Sequence, residues 1–315
     1  MSKPIVVFGS FVVDLTSRSS GLPVPGQTIL GNAFKFGPGG KGSNQAVAAH
    51  RAGANVLLVT KIGRDIFGDI ALNFYQQEGM RTEFVLQDAC KETGVALIMV
   101  DEITAQNKIV VVPGACANIT PQEVESCRLL IESASLLLVQ LEINFDALFK
   151  AVDIAYKSGV KIVLNPAPAY DLPAEIFRKV DTITPNETEA QHLTGVTVTD
   201  RFSAEKAAGI FLEMGIKNVV ITMGAQGAFA TDGQNSEFLP CLRVDAVDST
   251  GAGDAFNGGF ITALSEGRTL FEALRYGNAT AALSVTRLGT APSMPSRVEI
   301  DKMLLDNYGI RRTNV

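Results

Sequence analysis

Short apolar runs rich in β-branched residues punctuate the chain at 5–8, 56–60, 136–141, 161–164, 182–184 and 218–222. Stretches with helical spacing lie between most of them, at 44–52, 66–78, 121–132, 145–157 and 204–214. Gly53, Gly79, Gly159 and Gly215 follow four of these stretches, where a residue tolerant of positive φ closes a helix. The alternation predicts an α/β fold, a predominantly parallel sheet flanked by helices on both faces in three layers.

Two stretches break the rhythm. Residues 11–40 carry Gly21, Pro23, Pro25, Gly26, Gly31 and Gly37 around short extended pieces, and 94–100 with 108–113 reads as a hairpin. Together they predict a small β lid, formed by about residues 11–43 and 92–115, inserted into a single domain spanning 1–315. A lid that closes over the sheet would exclude water from the reaction beneath it. The polar run 309–315 is expected to fray.

Hydrophobic residues make up 46% of the 315, enough for a sizeable core, and the net charge of −6 comes with no Lys/Arg stripe. That balance argues against nucleic acid and for a small-molecule partner. Cys90, Cys116, Cys127 and Cys241 show no CxxC spacing and only His50 and His192 accompany them, so the cysteines read as reduced thiols. Neither a signal-peptide core nor a membrane-length apolar run is apparent, and a cytoplasmic protein is expected. On that expectation the sequons at Asn118, Asn186 and Asn278 are chance matches.

The chemistry concentrates in the run Asp248-Ser-Thr-Gly-Ala-Gly-Asp254, which opens onto an apolar helical segment. Gly251, Ala252 and Gly253 let backbone amides approach an anion at a helix start, and Asp254 sets a carboxylate beside them to accept a hydroxyl proton. An ordinary glycine-rich turn with an Asp near a helix start has the same sequence, so its companions must decide. Residues 37–42 literally satisfy GxGxxG, but the segment does not follow the first strand and leads to no acidic residue closing a βαβ unit. A turn packed on a polyol, with Asn44 at the next helix start, explains it better.

Polar residues also gather at strand ends, where open α/β sheets bind ligands: Glu142, Asn165-Pro-Ala-Pro168 and Thr184-Pro-Asn-Glu-Thr-Glu189. Asn186 and Glu189 share a helical face that suits a hydrated Mg2+, and the same pair suits a helix N-terminal cap; both readings stand. Thr222-Met223-Gly224-Ala225-Gln226-Gly227 adds a second glycine-rich turn at a strand end.

In order along the chain, Gly9-Ser10 with Asp14, Gly39-Gly40-Lys41-Gly42 with Asn44, Asn165-Pro-Ala-Pro, Pro185 to Glu189, Asp248 to Asp254, and Val285-Thr-Arg287 with Gly289 resemble the ribokinase family of carbohydrate kinases. The similarity runs nearly end to end. It implies an ATP-dependent kinase with Asp254 as general base and the amides of Gly251, Ala252 and Gly253 as anion hole. It further implies that Asp14, Gly40, Lys41, Gly42, Ser43, Asn44 and Glu142 hold the sugar, with Val12 at the same wall. Asn186, Gly253, Asn278 and the turn from Thr222 through Met223, Gly224, Ala225 and Gln226 to Gly227 would line the ATP site. Glu189 would organise Mg2+ through water. A K+ ion is implied at Asp248, Thr250, Ser284, Arg287, Gly289 and Ser293, as is a homodimer formed through the lid.

Two departures from the family pattern matter. Members that phosphorylate ribose have Asn two residues before the sugar-binding Asp, where this chain has Val12, so a sugar hydroxyl buried there would lose water without a replacement partner, at about 1–3 kcal/mol. The resemblance implies ribose or a ribose-like pentose as acceptor, with 2-deoxyribose as the alternative that Val12 favours and a nucleoside or fructose as lesser alternatives. Asn278 stands where those members have His, so the adenine contacts are expected to differ. A sugar-phosphate acceptor would want more lid cations than Arg18 and Lys35, and a non-catalytic binding protein would not need Asp254 with an intact Gly251-Ala-Gly253.

Overall fold

In the computed structural model, which describes residues 3–104 and 106–310, alternate side chains of strand β1 (Ile5–Phe8) enter two different apolar cores. Val6 and Phe8 join one, Ile5 and Val7 the other. A strand buried this way lies inside a sheet covered by two layers, which is why its sequence is apolar at every position. The strands after it are β2 (Val12–Ser19), β3 (Ala33–Gly39), β4 (Val56–Gly63), β5 (Val85–Asp88), β6 (Thr93–Asp101), β7 (Asn107–Gly114) and β8 (Leu136–Val139). β9 (Lys161–Leu164), β10 (Thr182–Ile183), β11 (Asn218–Thr222), β12 (Gly227–Thr231) and β13 (Ser236–Pro240) complete the set.

Nine of these strands form one sheet in the order β13-β12-β11-β10-β9-β8-β1-β4-β5. Its pairs are parallel except at one edge, where β11, β12 and β13 run antiparallel. This is the expected α/β fold, with an edge hairpin that the sequence pattern did not announce. β12 is Gly-Ala-Phe-Ala-Thr, too small in its side chains to read as an apolar β-branched run.

The helices are α1 (Lys41–Arg51), α2 (Ile66–Gln77), α3 (Pro121–Ser126), α4 (Arg128–Ser133), α5 (Phe145–Lys157) and α6 (Ala174–Phe177), followed by α7 (Glu187–Thr194), α8 (Arg201–Glu213), α9 (Ala252–Ser265), α10 (Leu270–Ser284) and α11 (Arg297–Tyr308). Residues of α1, α2, α9, α10 and α11 fill the core on one face of the sheet, and residues of α3 to α8 fill the core on the other.

Three local expectations are corrected. α1 starts at Lys41 rather than at Asn44, because Gly40, at φ 87, turns the chain straight from β3 into the helix. The single helix expected over 121–132 is two, broken at Cys127, whose N–H bonds back to the Val124 carbonyl at 3.1 Å while its side chain is buried. At the C-terminus, Gly309 takes a left-handed conformation and Ile310 donates to Leu304, so this pair caps α11 instead of fraying, while 311–315 lie outside the described residues.

β3, β2, β6 and β7 make a separate four-stranded sheet. Its register sets Asp14 opposite Gly37 and Ala96, and Ala96 opposite Val111, so these four residues share the face that looks onto the main domain. The opposite face leaves Phe34, Phe36, Leu97, Val110 and Val112 exposed. At the base of this sheet Asp65 accepts from the Thr93 amide and hydroxyl, and Thr93 accepts from Gly63.

Candidate active site

α9 begins where Gly251, at φ 77, turns the chain in a conformation that a side chain would strain, and its first turn carries Asp254, 8% exposed. Above Asp254 opens a cavity of about 680 Å3. Its polar lining comes from separate elements: Asp14 on β2, Lys41 and Asn44 on the first turn of α1, Glu142 after β8, and Thr250 and Thr290 from two loops. Val12, Ala96, Ile98, Ile109 and Val111 of the small sheet supply an apolar roof, and Phe145, Pro168 and Tyr170 a side wall.

Each polar group is held in place. Asn44 donates to one Asp254 oxygen and Gln45 to the other, both at 2.9 Å. One oxygen of Glu142 accepts from the Ser10 hydroxyl at 2.5 Å and from the Lys41 amide at 2.9 Å, which binds the start of α1 to the end of β8. Asp14 accepts from Thr290 at 3.2 Å, and a Cβ on Gly39 would stand 2.2 Å from the Asp14 carboxylate, so the glycine before Gly40 makes room for that side chain.

The electrostatics follow from crowding carboxylates around one cation. Burial pushes Asp14 up to about 6; the Thr290 hydrogen bond opposes this, and the charges of Asp254 and Glu142 add to it. Burial also raises Glu189, helped by Asp254 and Glu187 and opposed by the Asn186 amide and by Lys41. For Lys41, burial lowers the pKa, yet Asp254, Glu142 and Glu189 outweigh burial and the net shift is upward. A partly buried ammonium facing these carboxylates stays charged and is placed to meet an incoming anion.

Other expected residues fall close by in different roles. Gly42 and Ser43 do not line the cavity: a Cβ on Gly42 would lie 2.5 Å from the Gly9 backbone, and Ser43 is turned to accept from Tyr75. The Ala252 amide donates to the Ser249 carbonyl at 3.2 Å, whereas a Cβ on Gly253 would meet nothing within 4 Å, so Gly253 is the most open of the expected anion-hole residues.

Asn186 caps α7 in a reciprocal box with Glu189, so the capping reading of this pair holds, and the buried Glu189 still faces Lys41 and Asp254 through their charges. Asn186 bridges to Thr222, which brings the two strand-end segments together. The Met223 side chain is buried in the core, leaving its backbone to the turn, where Gly224 and Gly227 have positive φ. Ala225 and Gln226 continue that turn as a short 3-10 helix. Gly227 pairs with Pro240, and Asn278 donates to Pro240 and to Tyr308, so Asn278 stands beside the same turn but with its amide directed at the protein.

Asp248 joins two loops by accepting from Thr250 and from the Gly289 amide. Ser284 and Ser293 turn their hydroxyls onto the Ala281 and Thr290 carbonyls, and Arg287 pairs with Glu299, so any cation held there meets backbone carbonyls rather than these side chains. A second cavity, of about 350 Å3, adjoins the first; it gathers the lid cations Arg18 and Lys35 but balances them with Asp14 and Asp248. The sequence reading passed over Gln45, Gln140, Thr290 and Tyr170. Gln45 directly follows the motif that ends at Asn44, whereas Thr290 and Tyr170 carry no pattern and become visible only when the chain is folded.

Comparison with known proteins places the whole chain. The model of the pfkB family of carbohydrate kinases matches residues 2–297. Ribokinase of Haemophilus influenzae is 43% identical over 299 residues, covering 95% of this chain and 97% of that protein. Deoxyribokinase of Salmonella typhi is 36% identical over 301 residues, with 95% and 98% covered. The solved structure of Arabidopsis thaliana ribokinase complexed with ribose and ATP is similar at a TM-score of 0.89 and 29% identity, covering 96% of this chain and 99% of that one.

Proposed function

We propose a reaction from one premise: the chain belongs to the pfkB family of carbohydrate kinases, and is a sugar kinase that uses ATP. The acceptor is ribose or a ribose-like pentose, phosphorylated on its primary 5-hydroxyl. The observation that carries this reading is the convergence of Asp14, Asn44 and Glu142 on a cavity floored by Asp254. The hydroxyl oxygen attacks the γ-phosphorus of ATP, its proton passes to Asp254, the bond from the γ-phosphorus to the bridging oxygen breaks, and ADP leaves. Gly253 offers its amide to the phosphoryl oxygens at the start of α9, and Lys41 offsets their charge.

Asn186, the turn from Thr222 to Gly227 and Asn278 line the nucleotide side. Glu189 fits a water-mediated Mg2+ role because its carboxylate is buried beside Lys41 and Asp254. That ion would neutralise phosphate charge. The carbonyls around the two loops joined by Asp248 fit a K+ ion, which would stiffen the turn that leads to the anion hole. The exposed apolar row on the outer face of the small sheet supports a homodimer through that sheet, with closure over the sugar as its second task. The cytoplasm is the expected compartment; among the described residues no helix is long and apolar enough to cross a membrane.

A second reading, 2-deoxyribose as the preferred sugar, is favoured by Val12, which lines the cavity where a hydroxyl would need a polar partner. A relative named deoxyribokinase, 36% identical, also supports it, below the 43% of the relative named ribokinase. Assay of a panel of pentoses and hexoses with ATP, Mg2+ and K+ tests both. Turnover of a pentose supports the reaction and the ratio of kcat/KM for the two sugars ranks the readings, whereas no sugar-dependent ADP release rejects both.

A further inference from the structure

Beneath the cavity a chain of buried amides ties several strand ends to the catalytic turn. Gln140, just beyond β8, donates to Gln45 at 2.7 Å. Gln45 donates at 2.9 Å both to Asp254 and to Asn165, the residue that follows β9. Asn165 donates to the Thr184 carbonyl after β10, the Thr184 hydroxyl donates to Asn257 at 2.6 Å, and Asn257 donates back to the Gly253 carbonyl. The path therefore runs from the carboxylate of Asp254 to the Gly253 carbonyl at the start of α9.

Every member is withdrawn from solvent: Gln45 and Gln140 are 0% exposed, Thr184 1%, Asn257 2% and Asn165 6%. A neutral amide has two N–H donors and one carbonyl acceptor, and Gln45 uses all of these groups, on Asp254, on Asn165 and from Gln140. Gly9 belongs to the same construction, since a Cβ there would lie 2.0 Å from the Gln140 side-chain oxygen. Gln45 does not line the cavity. It has no access to sugar and acts through Asp254 or not at all.

We propose that Gln45 is a positioning residue for the general base. It anchors one Asp254 oxygen to the ends of β8 and β9, so that the other oxygen, beside Asn44, faces the hydroxyl to be deprotonated. The asymmetry of the two oxygens is the argument. The side-chain oxygens of Asn44 and Gln140 are both buried without a hydrogen-bond partner among the described residues, but of the two only Asn44 borders the cavity, so its bond can rearrange when sugar arrives. The Gln45 bond lies on the closed side and is braced from behind by Gln140 and Asn165. Side chains locked from two directions hold a catalytic group within the small angular range that proton transfer tolerates. This inference rests on the reading of Asp254 as base.

The test replaces Gln45 with the similarly sized but donor-free Met, alone and together with Asp254→Asn, and measures kcat and both KM values. Gln45→Met is expected to lower kcat about 10- to 100-fold while leaving the KM values for sugar and ATP within about twofold, and to cost nothing more in the Asp254→Asn background, because groups that act as a unit are non-additive. Gln140→Met, one bond further away, is expected to show the same split with a smaller loss, and it serves if Gln45→Met folds poorly. Equal losses in both backgrounds, a rise in sugar KM, or undiminished kcat overturns the proposal. Should Asp254→Asn itself turn over normally, the assignment of the base falls instead.

Discussion

Asp254 in the floor of the acceptor cavity is 8% exposed and accepts two amides, whereas Ile109 and Val111 in its roof are 50% and 44% exposed and belong to a sheet that shares no strand with the main one. The floor is cross-linked by buried polar bonds contributed by strand ends distant in sequence. The roof is held at Thr93, through Asp65 and Gly63, and at Thr290, which donates to Asp14 and to the Pro38 carbonyl; apart from Asp14 its lining of the cavity is apolar. The difference separates two tasks. On the proposed reading, proton transfer demands fixed geometry, which a buried hydrogen-bonded network supplies, while choosing and enclosing a sugar demands a surface that moves and whose chemistry is easily changed.

Asp254→Asn should break the floor most severely. Kcat is expected to fall by about 10²- to 10⁴-fold, the range that a positioned base contributes, with ATP binding retained; near-normal turnover would show that the floor does not carry the chemistry. Val12→Asn acts on the other region. It restores a polar partner at the roof's edge and is expected to shift the ratio of kcat/KM for ribose over 2-deoxyribose upward by about 10- to 100-fold, the value of one satisfied hydroxyl. An unchanged ratio would mean that another group already serves that hydroxyl. Ile109→Ala thins the roof and is expected to raise sugar KM about tenfold with kcat nearly constant, read from the same assay.

The two regions also differed in how far the sequence revealed them. The strands at 5–8, 161–164 and 218–222 were legible to the residue, because a run buried on both faces leaves no polar alternation to confuse it. The edge hairpin β12–β13 was not, since its first strand is mostly glycine and alanine. Asp254, Asn44 and Glu142 were legible as chemistry-bearing residues at strand and helix ends, and Asp14, inside β2, only through the family resemblance. Their mutual placement was not: Asn44 and Asp254 meet across 210 positions, and no local pattern encodes that contact. Ser43 shows the converse limit, because a residue inside a recognised motif turns out to face Tyr75 rather than the ligand.

Asp14 belongs to the roof by its strand and to the floor by its electrostatics, which makes it the finest probe of the boundary. Its pKa is raised from 3.8 to about 6, chiefly by burial. A carboxyl group raised in the folded state binds its proton more tightly there than in the unfolded chain, so its favourable contribution is fully present below the unfolded value and is lost as pH rises through the folded one. At neutral pH the ionised Asp14 is therefore a cost of about 3 kcal/mol. Asp14→Asn is expected to raise Tm by about 2–5 °C near pH 8, with the gain vanishing by about pH 4, while sugar KM rises. Thermal melts of both proteins across that pH range check the sign. A gain that is the same at both ends would show that Asp14 is disfavoured by shape rather than by its charge, and that the carboxylates of the floor do not reach the roof.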